Sequence, residues 1–147
     1  SGVGMAATAA TIASLGCCSS DIVVLCGIAG AYGESVAMGE VVEVVSEECV
    51  ELPERFRRRY VQRAPYTSLR GVASNTVHTM QCVSHGAEIE NMEGAALFAM
   101  AEAEGVPCGE IRAISNYVGE ERGEWDIPLA LERLTNTIVN LNLDEIE

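Results

Sequence analysis

Small and apolar residues crowd Val3 to Leu15 (Met5, Ala6, Ala9, Ala10, Ile12, Ala13) without a proline, and Gly16 ends the run. That pattern predicts a closely packed helix. After a Ser-Ser-Asp turn, Ile22 to Cys26 is an unbroken apolar run, which predicts a strand covered on both faces by helices. It leads into Gly27-Ile28-Ala29-Gly30, and a glycine-rich strand end marks a place where another group approaches the backbone closely. Val41 to Val45, introduced by the turn-like Met38-Gly39-Glu40, predicts a second strand. Residues 46–68, with Pro53 and Pro65, suggest a short helix over Glu54 to Gln62, and Arg70 to Ala73 a brief strand running into Ser74-Asn75-Thr76. Asn91 is placed to cap a helix from Met92 to Glu104, with Met92, Ala95, Ala96, Ala99 and Ala103 at helical spacing. Gly105 and Pro107 stop that helix. Cys108 to Ile114 then predicts a strand leading to Ser115-Asn116-Tyr117, and Ile127 to Leu141, with Pro128 in its first turn and a Leu/Ile stripe, a last helix. This is an α/β order, implying one domain over residues 1–147 with a sheet between helices on both faces.

Composition narrows the class. The 147 residues are 48% hydrophobic and 21% charged, with 9 basic against 22 acidic side chains and a net charge of −13. A chain this long buries roughly two-thirds of its unfolded surface, so a soluble, cored domain is expected. The negative charge repels phosphate backbones, and the basic residues gather at Arg55, Arg57, Arg58, Arg59 and Arg63, which reads as a solvated helix face. Nucleic acid is therefore not the expected partner. No apolar run approaches the roughly 20 residues that span a bilayer, and the N-terminus lacks the basic start and long apolar stretch of a secretory signal, so no membrane partner is expected. Six cysteines without a C-x-x-C pair suit buried thiols in a reducing cytoplasm. No His/Cys/Asp cluster has metal-ligand spacing, and Gly2 and Gly4 lack the third glycine of a dinucleotide fingerprint. Neither metal nor cofactor is expected.

Three places combine a strand end or helix start with polar chemistry: Gly27 to Gly30, Glu90-Asn91-Met92-Glu93-Gly94, and Ser115-Asn116. In α/β folds such positions converge on a strand-end crevice. A carboxylate like Glu93 in a first helical turn is favoured by the helix dipole alone, or it serves a site. The Asn116 amide closes a turn, or donates to one ligand acceptor while accepting from a neighbouring N–H.

Ser1-Gly2-Val3-Gly4-Met5, Gly27-Ile28-Ala29-Gly30, Met38-Gly39-Glu40-Val41-Val42, Met92-Glu93-Gly94-Ala95-Ala96 and Arg112-Ala113-Ile114-Ser115-Asn116 occur in the order found in the nucleoside phosphorylase and nucleosidase superfamily. The resemblance runs from about residue 1 to about 141. Within the superfamily the chain looks most like the futalosine hydrolases, which release hypoxanthine from futalosine in the alternative menaquinone pathway. The methylthioadenosine/S-adenosylhomocysteine nucleosidases are close relatives. The resemblance implies a three-layer α/β/α fold around a central mixed sheet, lacking here the N-terminal strand that the family carries upstream.

It also implies site roles. Glu93 accepts hydrogen bonds from ribose hydroxyls, and its charge favours the oxocarbenium-like state in which the glycosidic bond breaks. Asn116 stands where adenine-releasing relatives carry a proton-donating Asp, and its amide suits a 6-oxopurine such as hypoxanthine. Ala29, Gly30, Met92 and Ser115 shape the pocket, and Thr76, Val77 and His78 lie where relatives line the base or sugar. Leu25 replaces an Arg that holds orthophosphate in several phosphorylases, which favours water as the nucleophile. The expected partner is thus a purine nucleoside, together with further copies of the chain as a homodimer or larger homo-oligomer. The acidic residue that activates water in the nucleosidases belongs to the upstream segment, so no residue here takes that role by match. Three functions stay open: a hydrolase, a catalytically impaired nucleoside-binding relative, or a phosphate-dependent phosphorylase.

Overall fold

The computed structural model describes residues 1–16, 21–62 and 66–141; Cys17, Cys18, Arg63 and Pro65 lie outside them. Helix α1 (Met5–Leu15) precedes strands β1 (Val23–Ala31), β2 (Val41–Cys49), β3 (Arg59–Val61), β4 (Arg70–Thr76) and β5 (Ile89–Asn91). Helix α2 (Gly94–Glu104), strand β6 (Cys108–Tyr117) and helix α3 (Ile127–Asn140) follow, with 3₁₀ turns at Glu54–Phe56 and Arg122–Glu124.

The sheet order is β3-β2-β4-β5-β1-β6, and β6 also pairs with β2, Val41 to Glu43 running antiparallel to Ala113 to Ile111. The sheet therefore curls back on itself. It is mixed: β1 with β6, β2 with β4 and β4 with β5 are parallel, whereas β5 with β1 and β3 with β2 are antiparallel. Register shifts leave an unpaired extra residue in β6, Ser115 opposite Ala29/Gly30, and in β2, Val45 opposite Val72/Ala73, and such a residue bends its strand.

Helix α3 covers one side, where its Ala130 and Leu134 meet Ile111 and Ala113 of β6. Asp126 starts α3 by accepting from the Leu129 N–H at 3.0 Å, and Pro128 occupies its first turn, where no N–H is needed. Helix α2 lies on the opposite side, with α1 packed against it. The second apolar cluster includes Val42, Val44, Val72, Ile89, Ile114 and Phe98. Helix, sheet and helix form the three expected layers. Among the described residues, no helix is long and apolar enough to cross a membrane.

Several expectations need correction. No helix spans Glu54 to Gln62: one 3₁₀ turn gives way to β3, whose Arg59 to Val61 pair with Glu48 to Ser46 of β2. The arginines there are solvated but not helical; Arg58 pairs with Glu102 and Arg57 Nε donates to the Leu52 carbonyl at 2.8 Å. Helix α2 begins at Gly94, and its buried residues are Gly94 to Phe98 and Ala101, while Ala99 and Ala103 are exposed. Its N-terminal half is enclosed all round between the sheet and α1, so burial follows position along the helix rather than one stripe. Strand β1 is only half-buried over Val23 to Leu25, because α1 lies chiefly against α2. Of the four described cysteines, all free thiols, Cys49 is buried, Cys108 intermediate, and Cys26 and Cys82 exposed.

Candidate active site

Because β1 and β6 run parallel, their ends emerge side by side, with Gly30 opposite Asn116. Strand β5 turns there into Met92 and Glu93 and the start of α2. The three polar segments singled out in the sequence thus meet at one cavity of about 230 Å³. Its wall includes Ala29, Gly30, Val77, Met92, Glu93, Ser115 and Asn116. Val3, Ile28, Met80 and Ile127 add apolar surface, and Thr79, Glu90, Arg122 and Trp125 complete it.

Glu93 is 13% exposed and held from two directions. Its Oε1 accepts the Gly4 N–H at 2.9 Å, tying the Ser1 to Gly4 turn to the site, and its Oε2 takes Arg112 Nη1 at 3.2 Å. Each carboxylate oxygen has two lone pairs, so one on each stays available to a ligand hydroxyl. Arg112, not anticipated as a site residue, is the hub beneath. Its Nε reaches Glu110 Oε1 at 2.7 Å, Nη1 the Ile28 carbonyl at 3.3 Å, and Nη2 Asn91 Oδ1 at 2.9 Å. Burial works against its charge, but Glu110 and Glu93 outweigh that and keep it a cation. Gly27 is the glycine this hub requires: a Cβ there would stand 2.4 Å from Arg112 Nη1. The glycine-rich end of β1 therefore does mark a close approach, by Arg112 at Gly27.

Asn91 caps α2 from ahead of its first turn. Oδ1 accepts the Glu93 and Gly94 N–H groups at 2.8 and 2.7 Å, while Nδ2 donates to Glu47 Oε2 at 3.0 Å and Ser74 Oγ at 2.8 Å. Thr76 belongs to the same support and does not line the cavity: its hydroxyl donates to Glu47 Oε1 at 2.7 Å and accepts the Ala95 N–H at 2.8 Å. His78 is exposed and also lies outside the wall, its backbone N–H bound to Glu51 Oε2 at 2.7 Å. Glu51 takes the Thr79 N–H and Gln81 Nε2 as well, at 3.1 and 3.0 Å. It clamps the 78–81 segment that rims the cavity, a role with no local signal in the sequence.

At the other strand end, Ser115 Oγ donates to Asn116 Oδ1 at 2.9 Å, and Asn116 Nδ2 donates to the Tyr117 carbonyl at 3.2 Å. The amide is fixed, yet retains one N–H hydrogen and one lone pair. Trp125 covers this end, with Nε1 donating to the Glu120 carbonyl at 3.4 Å and the Arg122 guanidinium 5.5 Å from its ring. A second cavity carboxyl, Glu90, accepts from Tyr32 Oη at 2.8 Å and the Gln81 N–H at 3.1 Å. Burial pushes it above the ordinary carboxylate value, and these two hydrogen bonds partly offset that. Leu25 pairs in register with Glu110 and is not part of the wall. Among the described residues no group of three or more His, Cys, Asp or Glu is arranged to hold a metal ion.

Comparison with known proteins places this arrangement. Residues 43–141 match the family model described as the phosphorylase superfamily. A futalosine hydrolase of Thermus thermophilus is 30% identical, the alignment covering 82% of this chain and 69% of that protein. One from Acidothermus cellulolyticus is 46% identical over 57 residues, 38% of this chain and 23% of that protein. Among solved structures, the MTA/SAH nucleosidase of Streptococcus pneumoniae in complex with 8-aminoadenine superimposes with a TM-score of 0.78 at 21% identity, over 100% of this chain and 79% of that one. That last likeness speaks to the fold, whereas the family match and the Thermus relative speak to descent: the chain belongs to the phosphorylase superfamily and lies close to its futalosine hydrolases.

Proposed function

We propose that the chain is a nucleosidase that hydrolyses the N-glycosidic bond of a 6-oxopurine nucleoside, futalosine, and releases hypoxanthine. The observation that carries this reading is the fixed Asn116 amide facing Glu93 across one cavity, with both groups keeping free hydrogen-bonding capacity. Glu93 receives the ribose hydroxyls. As the C1′–N9 bond breaks, its electron pair leaves with the purine and positive charge develops on the ribose ring, where a fixed carboxylate stabilises it. Water adds at C1′ and the departing purine gains a proton. Asn116 cannot supply that proton as a carboxylic acid would, so its part is to hold the base, donating to the purine oxygen and accepting from the neighbouring N–H. The apolar wall of Val3, Ile28, Val77, Met92 and Ile127 supports binding of an uncharged ring system. The two relatives named futalosine hydrolase support the choice of substrate.

The test is chromatographic detection of hypoxanthine from futalosine and, separately, inosine, each with and without phosphate. Release from futalosine alone, independent of phosphate, is expected. Strict dependence on phosphate would make the chain a phosphorylase. Purine nucleoside binding without release by the folded chain would make it a binding protein.

A further inference from the structure

Beneath Glu93 the structure buries an unbalanced set of charges. Glu47 and Glu110 are 0% exposed, Arg112 is 2% exposed, and Glu93 stands at the rim. Three carboxyl groups thus face one guanidinium where unpaired ions are costly. Arg112 serves Glu110 through Nε and Glu93 through Nη1. Glu47 is left with neutral partners, the Thr76 hydroxyl, the Asn91 amide and the Ser74 hydroxyl. Glu110 Oε2 is buried and has no hydrogen-bond donor among the described residues, an arrangement rare enough to require a cause. The two carboxyls converge on one spot: a Cβ added to Gly94 would stand 2.4 Å from Glu47 Oε2 and 2.6 Å from Glu110 Oε2.

We propose that Glu47 and Glu110 share a single proton, and that this acid–carboxylate pair positions Arg112 and Asn91 and, through them, Glu93. A hydrogen on Glu47 Oε2 directed at Glu110 Oε2 gives the orphaned oxygen its donor. It also cuts the buried negative charge from three to two, of which Arg112 balances one. Glu110 keeps the carboxylate role because Arg112 Nε sits on it at 2.7 Å. Burial, reinforced by the charge of Glu110, pushes the Glu47 carboxyl well above its ordinary 4.5, as expected where two close carboxyls cannot both ionise. Among the described residues, the cation acting on the pair is Arg112. Around the pair stand Ser74 and Thr76 of β4, Asn91 of β5, Arg112 of β6 and the first amides of α2. The nearby Tyr32, Cys49 and Cys108 are each pushed up by burial, and Cys26, exposed at the residue level, is raised by partial removal of its thiol from water, so all four stay neutral.

The sign follows from linkage. A carboxyl whose folded value is raised stabilises the fold fully below the ordinary value of 4.5 and loses that contribution as pH rises through the folded value. Losing the proton sets two adjacent carboxylates against each other and draws Arg112 and Asn91 away from Glu93. The sharing stands on geometry; its effect on turnover rests on the proposed nucleosidase reading. The test compares the parent chain with Glu47→Gln and Glu110→Gln by infrared spectroscopy at neutral pH, by thermal unfolding against pH, and by the pH profile of kcat/KM for hypoxanthine release. The expected results are loss of a protonated-carboxyl carbonyl band in each variant, loss of the downward slope of Tm with rising pH in Glu47→Gln, and loss from its kcat/KM profile of the alkaline fall seen in the parent. A band that persists in both variants would overturn the shared proton. Loss of the band with an unchanged kcat/KM profile would overturn the positioning role. A parent that releases no base from any nucleoside would overturn the nucleosidase reading and the positioning role with it, leaving infrared and unfolding to decide the shared proton.

Discussion

Strand β6 presents two opposite solutions to burial on its two faces. Ile111 and Ala113 point to α3 and pack in an apolar cluster with Ala130 and Leu134. Their neighbours Glu110 and Arg112, by the alternation of a strand, point the other way and are just as buried. The apolar face is held by area removed from water, which is non-directional and tolerant of shape. The polar face is held by donor and acceptor matching, where one lost partner leaves a buried group uncompensated at about 1–3 kcal/mol. A fold built for stability alone has no use for the second arrangement. Its presence directly under Glu93 supports the role proposed for that carboxylate, which needs a rigid seat.

Replacing the hub is the strongest way to break that contrast. Arg112→Met should lower stability by about 3–5 kcal/mol, the usual cost of removing one partner from a buried ion pair, because Glu110, Glu93 and Asn91 all lose a donor. Urea unfolding reads this, and a loss under 1 kcal/mol would mean the polar face is not held by its ion pairs. Glu93→Gln comes next. It keeps an acceptor for the Gly4 N–H but loses the charge, and should lower kcat/KM for hypoxanthine release on the order of 10²- to 10³-fold, with the folded fraction unchanged by circular dichroism. Leu134→Ala probes the apolar face. It should cost about 2–3 kcal/mol, low in the range for such truncations, since half-buried Ile138 and Leu141 can close toward the gap. Its kcat should match the parent's. An equal fall in kcat would erase the division between the two faces.

The same contrast governs what the sequence made legible. Apolar elements with their own period were readable: α1 ends at Leu15 and α3 begins at Ile127, as expected from Gly16 and Pro128. The three site segments were readable because strand ends and Gly-rich turns leave local traces. Strand β5 was not, for three residues carry no period, and Ile89 to Asn91 become a strand only by lying between β4 and β1. Strand β3 failed for a similar reason: its partner is β2, and the arginines hid the alternation. Thr76 was expected against the ligand and instead supports α2. Arg112 lies within the Arg-Ala-Ile-Ser-Asn motif, yet nothing local shows that its guanidinium crosses over Gly27 to Glu93. Glu47, Glu51 and Glu110 look like surface acids in the sequence, and their partners are remote in it. Polar burial is written in long-range geometry, which residue order does not display.

Gly94 offers the finest test of the comparison, because two principles give opposite signs. At an exposed helical position, Gly→Ala gains about 1 kcal/mol through helix propensity. At Gly94 the added methyl would enter a space already held by Glu47 Oε2 and Glu110 Oε2, at 2.4 and 2.6 Å. Neither carboxyl is a free chain end, since each is held by donors and fully buried. Overpacking of this kind typically costs about 1–3 kcal/mol, so Gly94→Ala should come out destabilising by about 1–2 kcal/mol after the propensity gain. Glu47→Ser shortens one of the two obstructing side chains and should make room for the methyl. The double variant should then be less destabilised than the sum of the two single changes, the non-additivity expected of residues in contact. Additive losses in urea unfolding would mean that the cost of the methyl does not come from Glu47, and that the close approach of α2 to that acid is not what fixes Glu93 above it.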